Sequence, residues 1–494
     1  MTTTSSRCRP LSPSKERAQF WKPYPAYKPS GVEWLGDVPE HWEVKRLKMA
    51  AHLTDKKVDA EEDNPVPYIG MENIESWTGR LLPINPDIVP TGTANAFKAG
   101  HTLFGKLRPY LAKACNPDFD GLCSTELLVL NGVDFDSISL RYALLSDGFI
   151  KLVDSSTYGS KMPRASWDFI GNCMLPIAPP AEQRAITAFL DRETGWVDRL
   201  VAKKRELIER LKEKRTALIS RTVTRGLPPA AARAAGIPEN PPLKPSGVPW
   251  FDKCPRHWQT KRLRHISDFS VVGVVVNPSS YVTDEGVVFL LGGDVREMRI
   301  VTTNCKWCSP ESSNGPLIKS RLDAGDLVVV RVGYPGVAAV VPPELAGGNV
   351  ASMMLVRKHP RYCSQWLAYA FNSQVGRDQV EIVQYGAAQK QFNISHAVDF
   401  AFPFPPLTEQ TAIAEYLDAE TAKLDALVGK VEEAVERLQE YRTALITAAV
   451  TGKIDVRNEA SAGMSKAVEG RAAGYSVPQP EMPMAAEGQG EYRA

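Results

Sequence analysis

Long apolar runs are missing from this chain of 494 residues. No stretch reaches the roughly 18 consecutive apolar residues that suggest a membrane-spanning helix. The opening segment, residues 1–10, also lacks the apolar core of a signal peptide. Without a secretory leader, the 8 cysteines are expected to be reduced thiols. We therefore predict a cytoplasmic protein that does not enter a membrane.

A strong excess of charge of one sign is missing too. The 59 Lys and Arg residues nearly balance the 57 Asp and Glu residues, which leaves a net charge of +2. A strongly basic chain would indicate a nucleic-acid partner, but a local basic surface can exist within a balanced total. The overall charge therefore excludes no class of partner.

Complete sets of catalytic or metal-binding residues are also missing, and only two partial motifs occur. Residues 240–243 (Asn-Pro-Pro-Leu) resemble the loop of amino-methyltransferases, but Leu replaces its aromatic ring and no glycine-rich cofactor turn precedes it. Residues 305–308 (Cys-Lys-Trp-Cys) have the spacing of zinc ligands, but no second pair lies nearby. We predict no metal, no cofactor and no catalysis by the chain alone.

What the sequence does contain is a long duplication. Residues 28–34 (Lys-Pro-Ser-Gly-Val-Glu-Trp) return almost unchanged as 244–250, and each copy continues to Pro-x-His-Trp and Lys-Arg-Leu. Further along, Glu-Gln at 182–183 and Arg-Thr-Ala-Leu-Ile at 215–219 return at 409–410 and 442–446. A repeat of this length is a whole domain rather than a solenoid unit. The repeated His and Trp residues are expected to pack or cap rather than to catalyse.

Each half ends in a long helical pattern. Leucine or valine recurs at seven-residue spacing, interrupted in the first helix by Lys204, and this spacing is typical of a coiled-coil seam. The predicted seam residues are Leu190, Val197, Leu211, Leu218, Leu417, Leu424, Val431, Leu438 and Leu445.

The charges of the two helices predict that they pair with each other. Residues 182–225 carry 12 basic and 7 acidic residues, a net of +5, whereas residues 409–453 carry 5 basic and 9 acidic residues, a net of −4. Opposite charge with matching seams favours pairing. An antiparallel pair would place the two globular modules at opposite ends of a rod about 65 Å long, at about 1.5 Å per residue.

These features predict an α+β fold with pseudo-twofold symmetry, in which two long antiparallel coiled-coil helices separate two similar β-rich domains. The predicted segments are a disordered N-terminal tail (1–26), domain 1 (27–180), spacer helix 1 (181–225), a Pro/Ala-rich linker (226–243), domain 2 (244–407), spacer helix 2 (408–456) and a disordered C-terminal tail (457–494).

The repeated motifs together resemble the specificity subunit of type I restriction-modification systems. The likeness rests on the doubled Pro-Ser-Gly-Val-x-Trp, Pro-x-His-Trp and Lys-Arg-Leu, on Tyr-Gly before each helix at 158–159 and 385–386, and on the Glu-Gln that opens each helix. It implies that each module is a target recognition domain for one half of a bipartite double-stranded DNA sequence. It also implies that the helices set the gap and dock two methyltransferase subunits, with restriction/translocase subunits as further partners.

Base reading needs Arg, Lys, Asn or Gln side chains that reach the groove edges, with further cations on phosphates. The best candidates lie on loops beside the central strands that we predict at 102–105 and 327–332, and just before each helix. The predicted DNA-binding residues are Lys106, Arg108, Tyr110, Ser160, Lys161, Arg164, Arg331, Tyr334, Gln389, Lys390 and Gln391.

One position departs from the family pattern, and two other functions stay open. Domain 2 has Gly325-Asp326 at the start of its central strand, whereas domain 1 has Gly100-His101 at the matching position. The chain could instead be a self-contained DNA methyltransferase or nuclease with an unrecognised site. It could also be a coiled-coil scaffold that binds proteins; steep salt dependence of binding would favour DNA over this scaffold.

Overall fold

The computed structural model describes residues 22–59, 66–85, 92–275, 277–386 and 390–458. The chain divides into two compact units: unit 1 is Met1–Ala202 with Val435–Ala494, and unit 2 is Lys203–Ala434. The boundaries fall inside two long helices, Pro180–Arg225 with 46 residues and Leu407–Val450 with 44. Each unit therefore contains part of both long helices.

Unit 1 is built on two four-stranded sheets and two smaller strand pairs. The first sheet has the order Ala51–Leu53, Leu127–Gly132, Thr102–Gly105 and Ala114–Cys115, and all its pairs are antiparallel. The second has the order Lys57–Asp59, Thr93–Phe97, Gly121–Cys123 and Tyr68–Ile69, and only its last pair is parallel. The two-stranded pairs are Tyr27–Pro29 with Asp37–Pro39 and Glu43–Arg46 with Met174–Ile177.

Short helices cover the first sheet of unit 1. They are Leu47–Ala50, Ser137–Leu144, Asp147–Ser155 and Trp167–Ile170, with 3-10 turns at Met71–Asn73 and Pro109–Leu111. Residues 138–152 do not form one continuous helix but belong to two. The break lies at Leu145 and Ser146, because the extended backbone of Ser146 begins the second helix.

Unit 2 repeats the first sheet and changes the second. Its first sheet has the order Ser270–Val272, Met353–Val356, Leu327–Val330 and Ala338–Val340. Its second has the order Val282–Thr283, Lys306–Cys308, Val287–Leu290 and Asn349–Val350, so a different strand occupies the edge. The two-stranded pairs are Leu243–Val248 with Phe251–Pro255, Gln259–Arg262 with Ala401–Phe404, and Val295–Arg296 with Arg299–Ile300.

The helices of unit 2 follow the same plan. They are Pro229–Ala234, Leu263–Ile266, Pro310–Asn314, Ser364–Asn372, Gln374–Val383 and Ile394–Ala397, with 3-10 turns at Pro278–Tyr281, Gly292–Asp294, Ile318–Ser320 and Pro343–Leu345. The helix that begins at Ser364 ends at Asn372. The extended backbone of Ser373 then begins a new helix, as Ser146 does in unit 1.

Within unit 1 the two long helices pack against each other. Leu190 lies in one apolar cluster with Leu445, and Val197 lies in another with Val435 and Leu438. Along these contacts the residue number rises in the first helix as it falls in the second, so the two segments run antiparallel. The contact buries the apolar stripe that each helix presents.

Within unit 2 the pairing has the same sense. Ile219 shares a cluster with Ile413 and Leu417, while Arg215 contacts Asp425. Most of the predicted seam residues are buried, and Leu218, Leu424 and Leu438 are half-buried. Leu207 and Leu427, which lie on the long helices but outside the predicted seam, are exposed.

Some predicted segment boundaries fall inside ordered structure. Residues 1–21 and 459–494 lie outside the described residues, but Tyr24, which we predicted to be in a disordered tail, is 3% exposed. Arg457 pairs with Asp455 just beyond the second long helix. The Pro/Ala-rich linker contains the helix Pro229–Ala234, where Pro at the first helical position costs no hydrogen bond. Among the described residues, no helix is both long enough and apolar enough to span a membrane.

Candidate nucleic-acid interface

In unit 1 the structure brings together the two loops that carry the predicted DNA-binding residues, at 106–110 and 160–164. We call these the candidate loops. Leu107 and Tyr158 each form an isolated antiparallel bridge with Arg164. The amide of Arg108 donates to Pro163 O over 2.7 Å, and the guanidinium of Arg108 donates to Lys161 O over 3.3 Å. The loop after the central strand and the loop before the long helix therefore form one surface.

Unit 2 joins its two loops in the same way. Val332 and Tyr385 each form a bridge with Gln391, and the amide of Gly333 donates to Lys390 O over 2.9 Å. Arg331 O accepts from the amide of Phe392 over 3.2 Å. Gln389, the remaining candidate in this loop, lies outside the described residues.

The candidates differ in how freely their side chains face solvent. Six are exposed, and these are Arg108, Tyr110, Ser160, Lys161, Tyr334 and Lys390, with Tyr334 at 72%. Lys106, Arg164, Arg331 and Gln391 are half-buried. Arg164 is paired with the carboxylate of Glu126 over 2.9 Å, so its main contact is within the fold.

Sequence reasoning missed three exposed apolar or aromatic side chains in these loops. Tyr158 is 62% exposed, Met162 48% and Tyr385 44%. Tyr158 and Tyr385 belong to the repeated Tyr-Gly pairs that precede the two long helices. The repeat supported the family resemblance, and it could also have marked both tyrosines as candidate contacts. Exposed aromatic rings can contact sugars or bases through their faces.

A buried carboxylate anchors the first long helix to the start of domain 1. Glu182 lies in the first helical turn, where the helix dipole stabilises negative charge. Its Oε2 accepts from the indole N–H of Trp42 over 2.9 Å and from the hydroxyl of Tyr24 over 3.2 Å, while His41 Nε2 lies 2.6 Å from Oε1. Burial raises the pKa of Tyr24 well above its ordinary value, so its phenol stays protonated and donates.

The second long helix carries the matching anchor. Trp258 donates to Glu409 Oε2 over 2.7 Å, and His257 Nε2 lies 2.7 Å from Oε1. Position 24 corresponds to Asn240, which has no tyrosine ring to cover the carboxylate. The repeated His and Trp residues thus hold the helix starts, which is the packing role that we predicted.

In each unit, a tyrosine on a small helix also forms a hydrogen bond with an aspartate on a long helix. Tyr142 donates to Asp191 over 2.7 Å, and Tyr369 donates to Asp418 over the same distance. Burial raises the pKa of Tyr142 to about 12, so this donor is retained at neutral pH. In each unit a small helix is therefore attached to a long helix by a polar contact as well as through the apolar core.

His101 stands where unit 2 has Asp326, and it keeps the same kind of turn with a different hydrogen-bond acceptor. In unit 2, Asp326 is 1% exposed and accepts from the amide of Asp323 over 2.9 Å. In unit 1, His101 Nδ1 accepts from the amide of Lys98 over 3.2 Å. Burial, and secondly the charge of Lys98, lower the pKa of His101 below its ordinary 6.5. The neutral ring thus replaces the carboxylate as the acceptor of the turn.

This turn is expected to weaken in acid. The pKa of His101 is lower in the folded than in the unfolded chain, so its contribution to stability is complete above the unfolded value of about 6.5 and is lost as the pH falls through the lower folded pKa. Hydrogen exchange of residues 98–102, corrected for intrinsic rates, should show less protection at about pH 5 than at about pH 8. His101→Asp, whose carboxylate stays ionised over this range, should remove most of the difference. An equal acid response of both proteins would contradict this role.

The described residues contain no group of three or more His, Cys, Asp or Glu side chains placed to hold a metal ion. Cys305 and Cys308 are both buried, and burial raises the pKa of each thiol. The two cysteines are therefore stabilised as neutral thiols.

Comparison with known proteins points to one group. No protein-family model matches the chain. The type I restriction enzyme MjaVIII specificity subunit of Methanocaldococcus jannaschii is 22% identical over 446 residues, which cover 85% of this chain and 95% of that protein. The EcoDI specificity subunit of Escherichia coli is 25% identical over 168 residues, 33% of this chain and 37% of that protein.

A solved structure shows the same fold. It comes from work on complex assembly and conformational transition of the type I R-M system, and it matches 84% of this chain and 99% of its own with a TM-score of 0.63 at 20% identity. The relatives that align with most of this chain are thus named type I restriction enzyme specificity subunits, which confirms the resemblance predicted from its repeated motifs.

Proposed function

We propose that this chain is the DNA-recognition subunit of a type I restriction-modification complex and that each unit reads one part of a bipartite target. The observation that carries the proposal is the pair of matching surfaces. In both units a loop after the central strand meets a loop before a long helix, through bridges to Arg164 in unit 1 and to Gln391 in unit 2. The likeness to a named specificity subunit over 85% of this chain supports it.

The exposed side chains of each surface suit a DNA duplex. Arg108 and Lys161 in unit 1 and Lys390 in unit 2 supply cations that can contact phosphates. Tyr110 and Tyr334 project rings beside them. Arg164, with its partner Glu126, is assigned to shaping the loop, whereas the exposed residues are assigned to contacting DNA.

Two readers on one chain explain how a long target can be selected. A mismatched base pair costs only about 1 to 3 kcal/mol, so one short half-site cannot be distinguished in a genome. Two tethered readers multiply their selectivities when the geometry lets both bind. In this proposal the units have pseudo-twofold symmetry, and the antiparallel long helices act as the stiff spacer that sets the gap.

The long helices would also bind the catalytic partners. We assign them the docking of two methyltransferase subunits, with restriction/translocase subunits joining the complex. In this role the chain directs chemistry that other subunits perform and needs no cofactor of its own. The compartment that fits it is the cytoplasm, where the DNA lies.

Selection from randomised DNA tests the proposal. The full chain, assembled with the methyltransferase subunits of its host, is expected to enrich duplexes with two specified blocks separated by an unspecified gap of constant length. Binding should fall steeply as salt rises, because phosphate contacts release counterions.

A single contiguous block, or no enrichment, would contradict the proposal. Two controls separate the alternatives. Tight binding of S-adenosylmethionine by the isolated chain would favour a self-contained methyltransferase, and salt-insensitive binding would favour a protein scaffold.

A further inference from the structure

Arg442 is a charged residue that the second long helix buries. It is only 5% exposed, and its guanidinium donates in two directions. Nε donates to Asp198 Oδ1 on the first long helix over 2.9 Å. Nη1 donates to Trp77 O over 2.7 Å and Nη2 to Thr78 O over 3.0 Å. One side chain therefore joins both long helices to a loop of the β-rich part of unit 1.

That loop is the tip of a small hairpin. Its arms meet at the bridge between Ile74 and Leu81, and Trp77 at its tip has a left-handed backbone with φ 65°. A non-glycine residue adopts this conformation at a cost, so its surroundings must hold it. The amide of Trp77 donates to Ala112 O over 3.0 Å, and Ala112 lies two residues after the candidate Tyr110. The contacts form a continuous path from the helices to the candidate DNA surface.

Unit 2 contains the same path with different side chains. Arg215 belongs to the repeated Arg-Thr-Ala-Leu-Ile, as Arg442 does, and Asp198 precedes Arg215 by the same 17 residues by which Asp425 precedes Arg442. Arg215 Nε donates to Asp425 Oδ1 over 3.0 Å. Its Nη1 donates to Glu297 Oε2 over 2.9 Å.

Glu297 begins the turn of the matching hairpin. The next residue, Met298, has φ 61°, and its amide donates to Ala338 O over 3.0 Å. Ala338 follows the candidate loop that contains Arg331 and Tyr334. The hairpin is thus held by a carboxylate in unit 2 and by backbone carbonyls in unit 1, but the route and the left-handed tip are the same.

An arginine suits this position better than a lysine. The guanidinium is a planar fork that donates several hydrogen bonds in fixed directions, whereas an ammonium is a compact point charge. A lysine at position 442 would keep the charge beside Asp198 but could not also hold two carbonyls in the same geometry. The hairpin would then move relative to the helices although the charge is unchanged.

We propose that Arg442 with Asp198, and Arg215 with Asp425, are positioning residues that make the gap between half-sites strict. They lock each hairpin, and through it the candidate loop, to the long helices. They read no base themselves. This inference rests on the proposed function, because a gap exists only if the chain reads a split target.

The test uses the full chain with its methyltransferase subunits and the duplex selected above. Affinity is measured for the selected gap and for gaps one base pair shorter and longer. Arg442→Lys and Arg215→Lys are each expected to reduce the preference for the selected gap about fivefold or more, since several charge-assisted hydrogen bonds are lost or distorted. The preference for each half-site sequence should stay the same. Arg199→Lys, an exposed position on the first long helix, is the matched control and should change neither.

Two further measurements separate positioning from folding. Glu297→Gln is milder, because this side chain is 33% exposed, and it should relax the gap in the same direction. Hydrogen exchange at Trp77 and Ala112 should quicken in Arg442→Lys while the sheets stay protected. If the normal protein discriminates gaps and the Lys and Gln variants discriminate them equally well, the inference is overturned. If the normal protein selects no split site, the proposed function itself fails.

Discussion

Lengthening both long helices by one heptad is expected to lengthen the preferred gap between half-sites. The insertions follow Ala202 and Ala434, where the chain passes between its two units, and each copies the preceding seven residues. Seven residues of helix rise about 10.5 Å and a base pair about 3.4 Å, so the gap should grow by at most about three base pairs. It grows less if the helices are tilted against the duplex.

A whole heptad is used because it returns the apolar stripe to the same face of the helix. Selection from randomised DNA gives the new gap, and the half-site sequences should be unchanged. Lengthening only one helix is the control. The two seams would then be out of register, so binding should weaken at every gap instead of moving to a new one. An unchanged gap in the doubly lengthened protein would show that the helices do not set it.

The long helices were the most predictable part of the fold. Their signal is periodic, and a leucine such as Leu417 at every seventh position can be satisfied only by burial along one stripe. Leu417 is fully buried, and Val431 is 7% exposed. The short strands gave a weaker signal, because a run of four apolar residues such as Leu327–Val330 defines a buried strand but not its neighbours. The different edge strand in the second sheets of the two units could not be predicted for this reason.

The polar anchors were only partly predictable. The repeated Glu182 and Trp42 were visible as motifs, and their burial follows once they are seen to bond each other. Arg442 was visible in the repeated Arg-Thr-Ala-Leu-Ile, but its burial was not, since a basic residue beside a seam is normally solvated. Two of its partners are backbone carbonyls more than 360 residues away in the chain, and carbonyls have no sequence signature. The predicted DNA-binding residues stay predictions, because the loops carry no code that relates side chain to base.

Replacement of Trp258 by alanine is expected to have the largest effect on stability. Trp258 is 1% exposed and lies in a cluster with Ile219 and Phe402. Trp258→Ala should lower the free energy of unfolding of unit 2 by about 3 to 5 kcal/mol, because it leaves a cavity. It also removes the indole donor of Glu409, whose buried carboxylate then loses a hydrogen bond. Denaturant titration measures the loss, and hydrogen exchange shows in which unit it occurs.

The same unit offers a matched control, because Trp307 is 38% exposed. Trp307→Ala removes an identical side chain but should cost less, about 1 to 2 kcal/mol, since more than a third of its surface is already exposed to solvent. Trp258→Phe should fall between the two, because it keeps a ring in the core yet cannot donate to Glu409. The repeat makes a second comparison available: Trp42→Ala should reduce protection in unit 1 and leave unit 2 unchanged. Equal losses at Trp258 and Trp307 would mean that the anchor adds nothing to the stability of its unit, and the buried indole–carboxylate contact could then not be what holds the start of the long helix.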